Sequence, residues 1–135
     1  MKKLGIIVSI AMLFVFAGIN KVFSQTDYYV NNIYWDDSNC SCSEPIQADV
    51  RIVVIDILTQ TVEDDSQWII DVSQGYDYEG NADIKTDCDD DCYTVVVYVR
   101  LKDSGGECCS GNDSKNATGQ ELVGGNWSFG TVVLN

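Results

Sequence analysis

Residues 88–102, CDDDCYTVVVYVRLK, limit what this chain can become more than any other stretch. From position 93 the side chains alternate. Tyr93, Val95, Val97, Val99 and Leu101 fall on one side, and Thr94, Val96, Tyr98, Arg100 and Lys102 on the other. A period of two in β-branched and aromatic residues specifies a strand, because such side chains pack on a pleated surface. This is a core strand, entered through a turn of three carboxylates that Cys88 and Cys92 can cross-link.

The rest of the chain repeats the pattern in shorter pieces. Residues 28–35 read as a first strand, with Tyr29, Asn31, Ile33 and Trp35 sharing a side opposite Tyr28, Val30, Asn32 and Tyr34. Residues 48–59 read as a second long strand. A phase slip near Ile55 implies a bulge that leaves Asp56 exposed. Residues 60–66 are a polar turn, and 67–72 alternate with Trp68, Ile70 and Val72 inward. Residues 76–84 set Tyr76, Tyr78, Ala82 and Ile84 against Asp77, Glu79, Asn81 and Asp83. Gly80 marks a bulge or a close approach there.

Residues 103–119 are rich in Gly, Ser and Asn without periodicity and read as a long loop. Residues 120–123 suggest a short strand, and 126–134 a last strand whose two rows are both apolar near its end. Short strands, frequent turn signals and no helical period point to an all-β chain. The expected fold is a single small antiparallel β-sandwich, immunoglobulin-like, transthyretin-like or C2-like in topology.

Lys2 and Lys3 precede a run over 4–19 that is apolar apart from Ser9 and small residues, and Val22 and Ser24 stand where a signal peptidase wants small side chains. This reads as a signal peptide over 1–24, cleaved before Gln25, with one exported domain over 25–135. The apolar run is shorter than the roughly 20 residues of a spanning helix, so no membrane attachment is expected after cleavage. The expected location is secreted, extracellular or periplasmic.

All six cysteines follow that cut, and an even count in an exported chain implies a disulfide framework. Adjacent Cys108 and Cys109 cannot bridge without strain, and Cys40 and Cys42 are nearly as cramped. Cys88 and Cys92 can close a small ring. If strands 48–59 and 93–102 pair antiparallel, Cys40 and Cys42 come beside Cys108 and Cys109, and each joins one of that pair. Each long loop so closed is expected to contribute about 3–4 kcal/mol, and the small ring less. Thiolate metal binding is the competing reading. The chain has no histidine, and an oxidising compartment works against free thiolates.

The leader holds three of the 8 basic side chains and none of the 21 acids. The exported part is therefore strongly acidic, which excludes nucleic acid as a partner and disfavours anionic membranes. Asp87, Asp89, Asp90 and Asp91 form a candidate Ca²⁺ site. Their spacing opens like an EF-hand loop, but Cys92 stands where that loop needs Gly and Tyr98 where it needs Glu. Such a site would draw on a second loop, either Asp36 and Asp37 or Glu63, Asp64 and Asp65. The plain alternative is a solvated acidic turn.

Seven aromatics (Tyr28, Tyr29, Tyr34, Trp35, Tyr76, Tyr78 and Trp127) supply candidates for a sugar-binding platform, with Tyr34, Trp35, Tyr76 and Tyr78 the expected ligand-binding set. The plain alternative is that they are core. Without histidine the common catalytic triads are excluded, and no enzymatic activity is expected. The expectation is a secreted, disulfide-stapled binding module for an extracellular protein or glycan. The alternatives are a carbohydrate-binding module, or a subunit that forms homo-oligomers by strand pairing.

Overall fold

A computed structural model describes residues 25–88 and 90–135; the leader at 1–24 and Asp89 lie outside the described residues. Four strands form one sheet: β2 (Gln47–Asp56), β3 (Thr61–Asp65), β5 (Tyr93–Asp103) and β6 (Gly106–Ala117), in the order β3-β2-β5-β6 and all antiparallel. Three more form the other: β1 (Thr26–Asp36), β4 (Tyr76–Ala82) and β7 (Ser128–Val133), in the order β4-β1-β7. The two sheets make the expected sandwich. One pair departs from the antiparallel rule, since β1 and β7 run parallel.

β5 is the interior strand its alternation implied. Tyr93, Val95, Val97 and Val99 are fully buried. They meet Val50, Ile52 and Val54 of β2 and, from the facing sheet, Tyr28, Val30, Ile33, Phe129, Val132 and Leu134.

Five expectations are corrected. The loop expected at 103–119 is mostly β6. It pairs with β5 from Asp103↔Gly106 to Tyr93↔Ala117, as a polar edge strand whose exposed residues have no buried face to impose a period. The turn expected at 60–66 contains β3. The strand expected at 67–72 is reduced to a bridge between Ile69 and Val50, because Gln67 and Asp71 adopt left-handed φ of 57° and 60°. Those two residues break the alternation, so Ile70 points out.

Residues 120–123 lie in a helix, α1 (Gly119–Gly124), rather than a strand. Thr118 caps it by accepting from the Glu121 N–H at 3.1 Å, while the Glu121 carboxylate accepts from the Thr118 N–H at 3.2 Å. That reciprocal box satisfies two donors a helix start leaves open.

Finally, Asp56 is buried, not exposed. β2 keeps its phase against β5 through Asp56↔Tyr93, and the irregularity lies in its pairing with β3. The Asp56 carboxylate accepts from the Leu58 and Thr59 N–H groups and faces Lys85 Nζ at 3.8 Å.

In β1 the buried row is Tyr28, Val30, Ile33 and Trp35. The phase shifts by one across a bulge between Val30 and Ile33, with Asn32 at φ 55°. Asn tolerates that left-handed conformation better than most residues. β7 slips beside it: Gly130, opposite Ile33, has φ 100°, and the buried row becomes Phe129, Val132, Leu134. Gly80 is the close approach the sequence suggested. A Cβ there would fall 2.4 Å from the Tyr28 ring that lies over it. Tyr28 then reaches across to the other sheet, donating to Asp64 at 2.6 Å.

The disulfides are Cys40–Cys109, Cys42–Cys108 and Cys88–Cys92; the small ring and the joining of Cys40 and Cys42 to the Cys108–Cys109 pair were expected, and the structure sets which joins which. Their energetics need revision. The two long-range bonds close loops of 69 and 66 residues but sit almost side by side. Once one is made, the other closes only a small ring. The chain-entropy relation then assigns about 4 kcal/mol to the first and about 2 kcal/mol to the second.

β7 ends at a seam with β6. Asn135 N donates to Ser110 O at 3.0 Å, and Lys115 Nζ donates to the Phe129 carbonyl. The outer edge of the apolar last strand is therefore covered by β6 at these points.

Candidate functional site

The α1–β7 connection carries a recess of about 410 Å³ lined by Gln120, Glu121, Gly124, Asn126, Trp127 and Ser128. Local structure fixes it from three sides. The capping box starts α1, the helix packs on β1 with Leu122 fully buried, and Gly119 lies against the Lys85 backbone. Gly125 ends the helix at φ 77°, a left-handed C-cap that glycine adopts without strain.

The β1 bulge supplies the rest. Asn31 Nδ2 donates to Gly125 O at 2.7 Å, Asn31 N donates to Trp127 O at 3.3 Å, and Asn32 Nδ2 donates to Ser128 Oγ at 2.6 Å. Trp127 packs its ring edgewise on buried Phe129, with centroids 6.1 Å apart, and remains half-buried.

The chemistry of this recess is polar around one indole, with the Glu121 carboxylate as its one charged group. Among the described residues the side-chain amides of Gln120 and Asn126 make no internal hydrogen bond. Glu121 spends one oxygen on Thr118, and Ser128 accepts from Asn32 with its own proton left to donate. Donors and acceptors thus stand around an aromatic surface with no cation among the lining residues.

The aromatic set chosen from sequence is not assembled into one platform. Trp35 is core at 9% exposure, while its neighbour Tyr34 points to the other face at 44%. Tyr76 and Tyr78 are half-buried on the inner side of β4, and Tyr78 stacks edgewise on Tyr28 with centroids 5.9 Å apart. Trp127, in the wider aromatic list, is the one that borders a recess. The signal that could have singled it out is its position just after a glycine pair, flanked by Asn126 and Ser128.

In the acidic turn, Asp87, Asp90 and Asp91 are exposed, and Asp89 lies outside the described residues. The Asp90 carbonyl sits 2.9 Å from Cys92 Sγ, a contact and not a hydrogen bond, since disulfide sulfur carries no proton. Among the described residues the one trio of metal-type ligand atoms within 4.8 Å is Cys42, Asp103 and Cys108. Its two sulfurs are bonded to each other, so it offers no thiolate.

A second group, not anticipated from sequence, lies on the outer face of the four-stranded sheet. Asp49 is fully buried and holds two cations on one carboxylate oxygen, Lys102 Nζ at 2.7 Å and Arg100 Nε at 3.0 Å. Its other oxygen accepts from Gln47 Nε2 at 2.8 Å and the Asp71 N–H at 3.1 Å. Burial alone would raise the Asp49 pKa; the donors from Lys102, Gln47, Asp71 and Arg100 outweigh it and hold the carboxyl at about 2. Arg100 stacks on half-buried Trp68, 4.1 Å from the ring centroid, so that tryptophan is already occupied.

No protein-family model, no curated protein and no solved structure matches this chain.

Proposed function

We propose that the chain is an exported, non-enzymatic binding module that takes a neutral, hydroxyl-rich ligand, a sugar unit, in the recess over Trp127. The observation that carries this reading is the composition of that recess: one half-buried indole ringed by Gln120, Asn126, Ser128 and Glu121. The C–H face of a pyranose is apolar and covers an aromatic ring, while amide, hydroxyl and carboxylate groups match the hydroxyls at its rim. The volume of about 410 Å³ suits a small ligand. A formal charge of −13, with Glu121 at the rim, favours a neutral sugar over an acidic one.

Preorganisation supports the same reading. The capping box, the Gly125 C-cap and the Asn31 and Asn32 tethers order the recess before any ligand arrives, which lowers the entropy cost of binding. Three disulfides fit an extracellular setting, and among the described residues no helix is long and apolar enough to cross a membrane.

The test is a titration of the oxidised protein with neutral oligosaccharides of glucose, xylose, mannose and N-acetylglucosamine, beside Trp127→Ala and Trp68→Ala variants. Binding to at least one series, lost in Trp127→Ala and kept in Trp68→Ala, is expected. Equal binding by both variants, or none to any series, contradicts the proposal.

A further inference from the structure

A second recess, of about 400 Å³, opens beside the Asp49 cluster, and its lining includes Pro45, Ile46, Asp71, Lys102, Asp103 and Ser104. It shares no lining residue with the first. Three kinds of surface meet in it.

The apolar part is Pro45 with Ile46, which is 36% exposed and belongs to no core. The positive part is Lys102. Its ammonium shares the single carboxylate of Asp49 with Arg100, so two cations face one buried acid and the group keeps one positive charge in excess. An ammonium has three donors, and the Asp49 contact uses one. The negative part is Asp71, whose backbone N–H is taken by Asp49 while its side chain stands exposed at the rim. Asp103 is not equivalent. Its oxygens accept from the Ser43 N–H at 3.0 Å and the Gly105 N–H at 2.8 Å, which orients the carboxylate toward its own turn while it keeps its negative charge.

The walls are held independently of any ligand. The Cys42–Cys108 disulfide and the Ser43–Asp103 hydrogen bond tie the loop before β2 to the β5–β6 hairpin. The Asp71 N–H bond to Asp49 fixes the third side. An ammonium held on Asp49, an exposed carboxylate on a tethered backbone and an aliphatic wall around one cavity are complementary to a small molecule that carries a carboxylate, an ammonium and an aliphatic body.

We infer that this recess is a second binding site, for a small aliphatic zwitterion of the α-amino-acid class. The carboxylate pairs with Lys102, the ammonium with Asp71, and the side chain lies on Pro45 and Ile46. This site does not depend on the sugar reading of the Trp127 recess.

The experiment titrates the oxidised protein with L-leucine, N-acetyl-L-leucine and L-leucinamide, following backbone amide shifts by NMR. L-Leucine is expected to shift residues 45–47, 71 and 102–104 in a saturable manner. Each capped form, missing one charge, is expected to bind at least tenfold more weakly. Lys102→Gln should remove the preference for L-leucine over L-leucinamide, and Asp71→Asn the preference over the N-acetyl form. Asp71→Asn keeps the backbone bond to Asp49 and suits the left-handed φ of 60°, so it tests the charge without disturbing the fold. Equal shifts with all three compounds, shifts elsewhere, or no saturable shift with L-leucine overturns the inference. So does an Asp71→Asn protein that folds and still discriminates against the N-acetyl form.

Discussion

The two recesses differ in what holds them. The one over Trp127 is organised mostly by neutral hydrogen bonds, from a glycine C-cap and two asparagine tethers on a strand bulge, beside a capping box with one carboxylate. The one beside Lys102 is bounded by a disulfide and by an ion cluster on a buried carboxylate. Neutral hydrogen bonds are each worth about 1 kcal/mol and respond little to pH or redox state. Covalent and ionic ties are worth more and respond to both. The same small sandwich thus carries one recess weakly coupled to its chemical surroundings and one strongly coupled to them, and perturbations should separate the two.

The largest effect is expected from the disulfides. Replacing all of Cys40, Cys42, Cys108 and Cys109 by Ser should cost about 6 kcal/mol in denaturant unfolding, whereas removing either bond alone should cost about 2 kcal/mol. The remaining bond still closes the long loop. If each single removal costs as much as half of the double, the two staples act independently and the nested-loop account is wrong.

Asp49 comes next. Its folded pKa of about 2 lies below the ordinary value of 3.8. A lowered carboxylate pKa gives stability that is present above the unfolded value and is lost as pH falls through the folded one. The window is therefore about pH 4 down to about pH 2, and the contribution about 2 kcal/mol. Asp49→Asn should lower stability at neutral pH by about that amount and flatten the acid limb in that window. An unchanged acid limb would mean that another group, such as Asp65 beside Arg51, carries the dependence.

Thr118→Ala is the smallest. Loss of the cap should cost about 1 kcal/mol and weaken binding at the Trp127 recess, with the Lys102 recess untouched. Equal weakening at both sites would show that the recesses are coupled through the core.

These contrasts also explain what was legible in the sequence. β5, the sandwich and the disulfide framework, apart from which of Cys108 and Cys109 meets Cys40, followed from alternation and cysteine spacing, because a buried row and a covalent geometry leave a pattern in the chain. β6 left none, since an edge strand with polar residues on its exposed side is specified by the open edge of β5 rather than by its own residues. The bulge at Asn31–Asn32 was hidden because the residues around it alternate plausibly in either phase. That bulge is what brings both asparagines to the α1–β7 connection, so the site was hidden with it. The Asp49 cluster joins residues more than 50 positions apart, and only the β2–β5 register places Arg100 opposite Asp49. The capping box Thr118-x-x-Glu121 was in plain view and specified a helix where a strand was expected.

The most direct test of the account follows the indole N–H resonances of the 3 tryptophans during titration with the best-bound neutral oligosaccharide. Trp35 lies in the core and Trp68 lies under Arg100, whereas Trp127 lines the recess described above. The account predicts that the Trp127 resonance moves saturably, that the other two stay, and that L-leucine moves none of the three. A saturable shift of Trp68 with Trp127 unmoved would place the sugar on the other sheet and contradict the central claim.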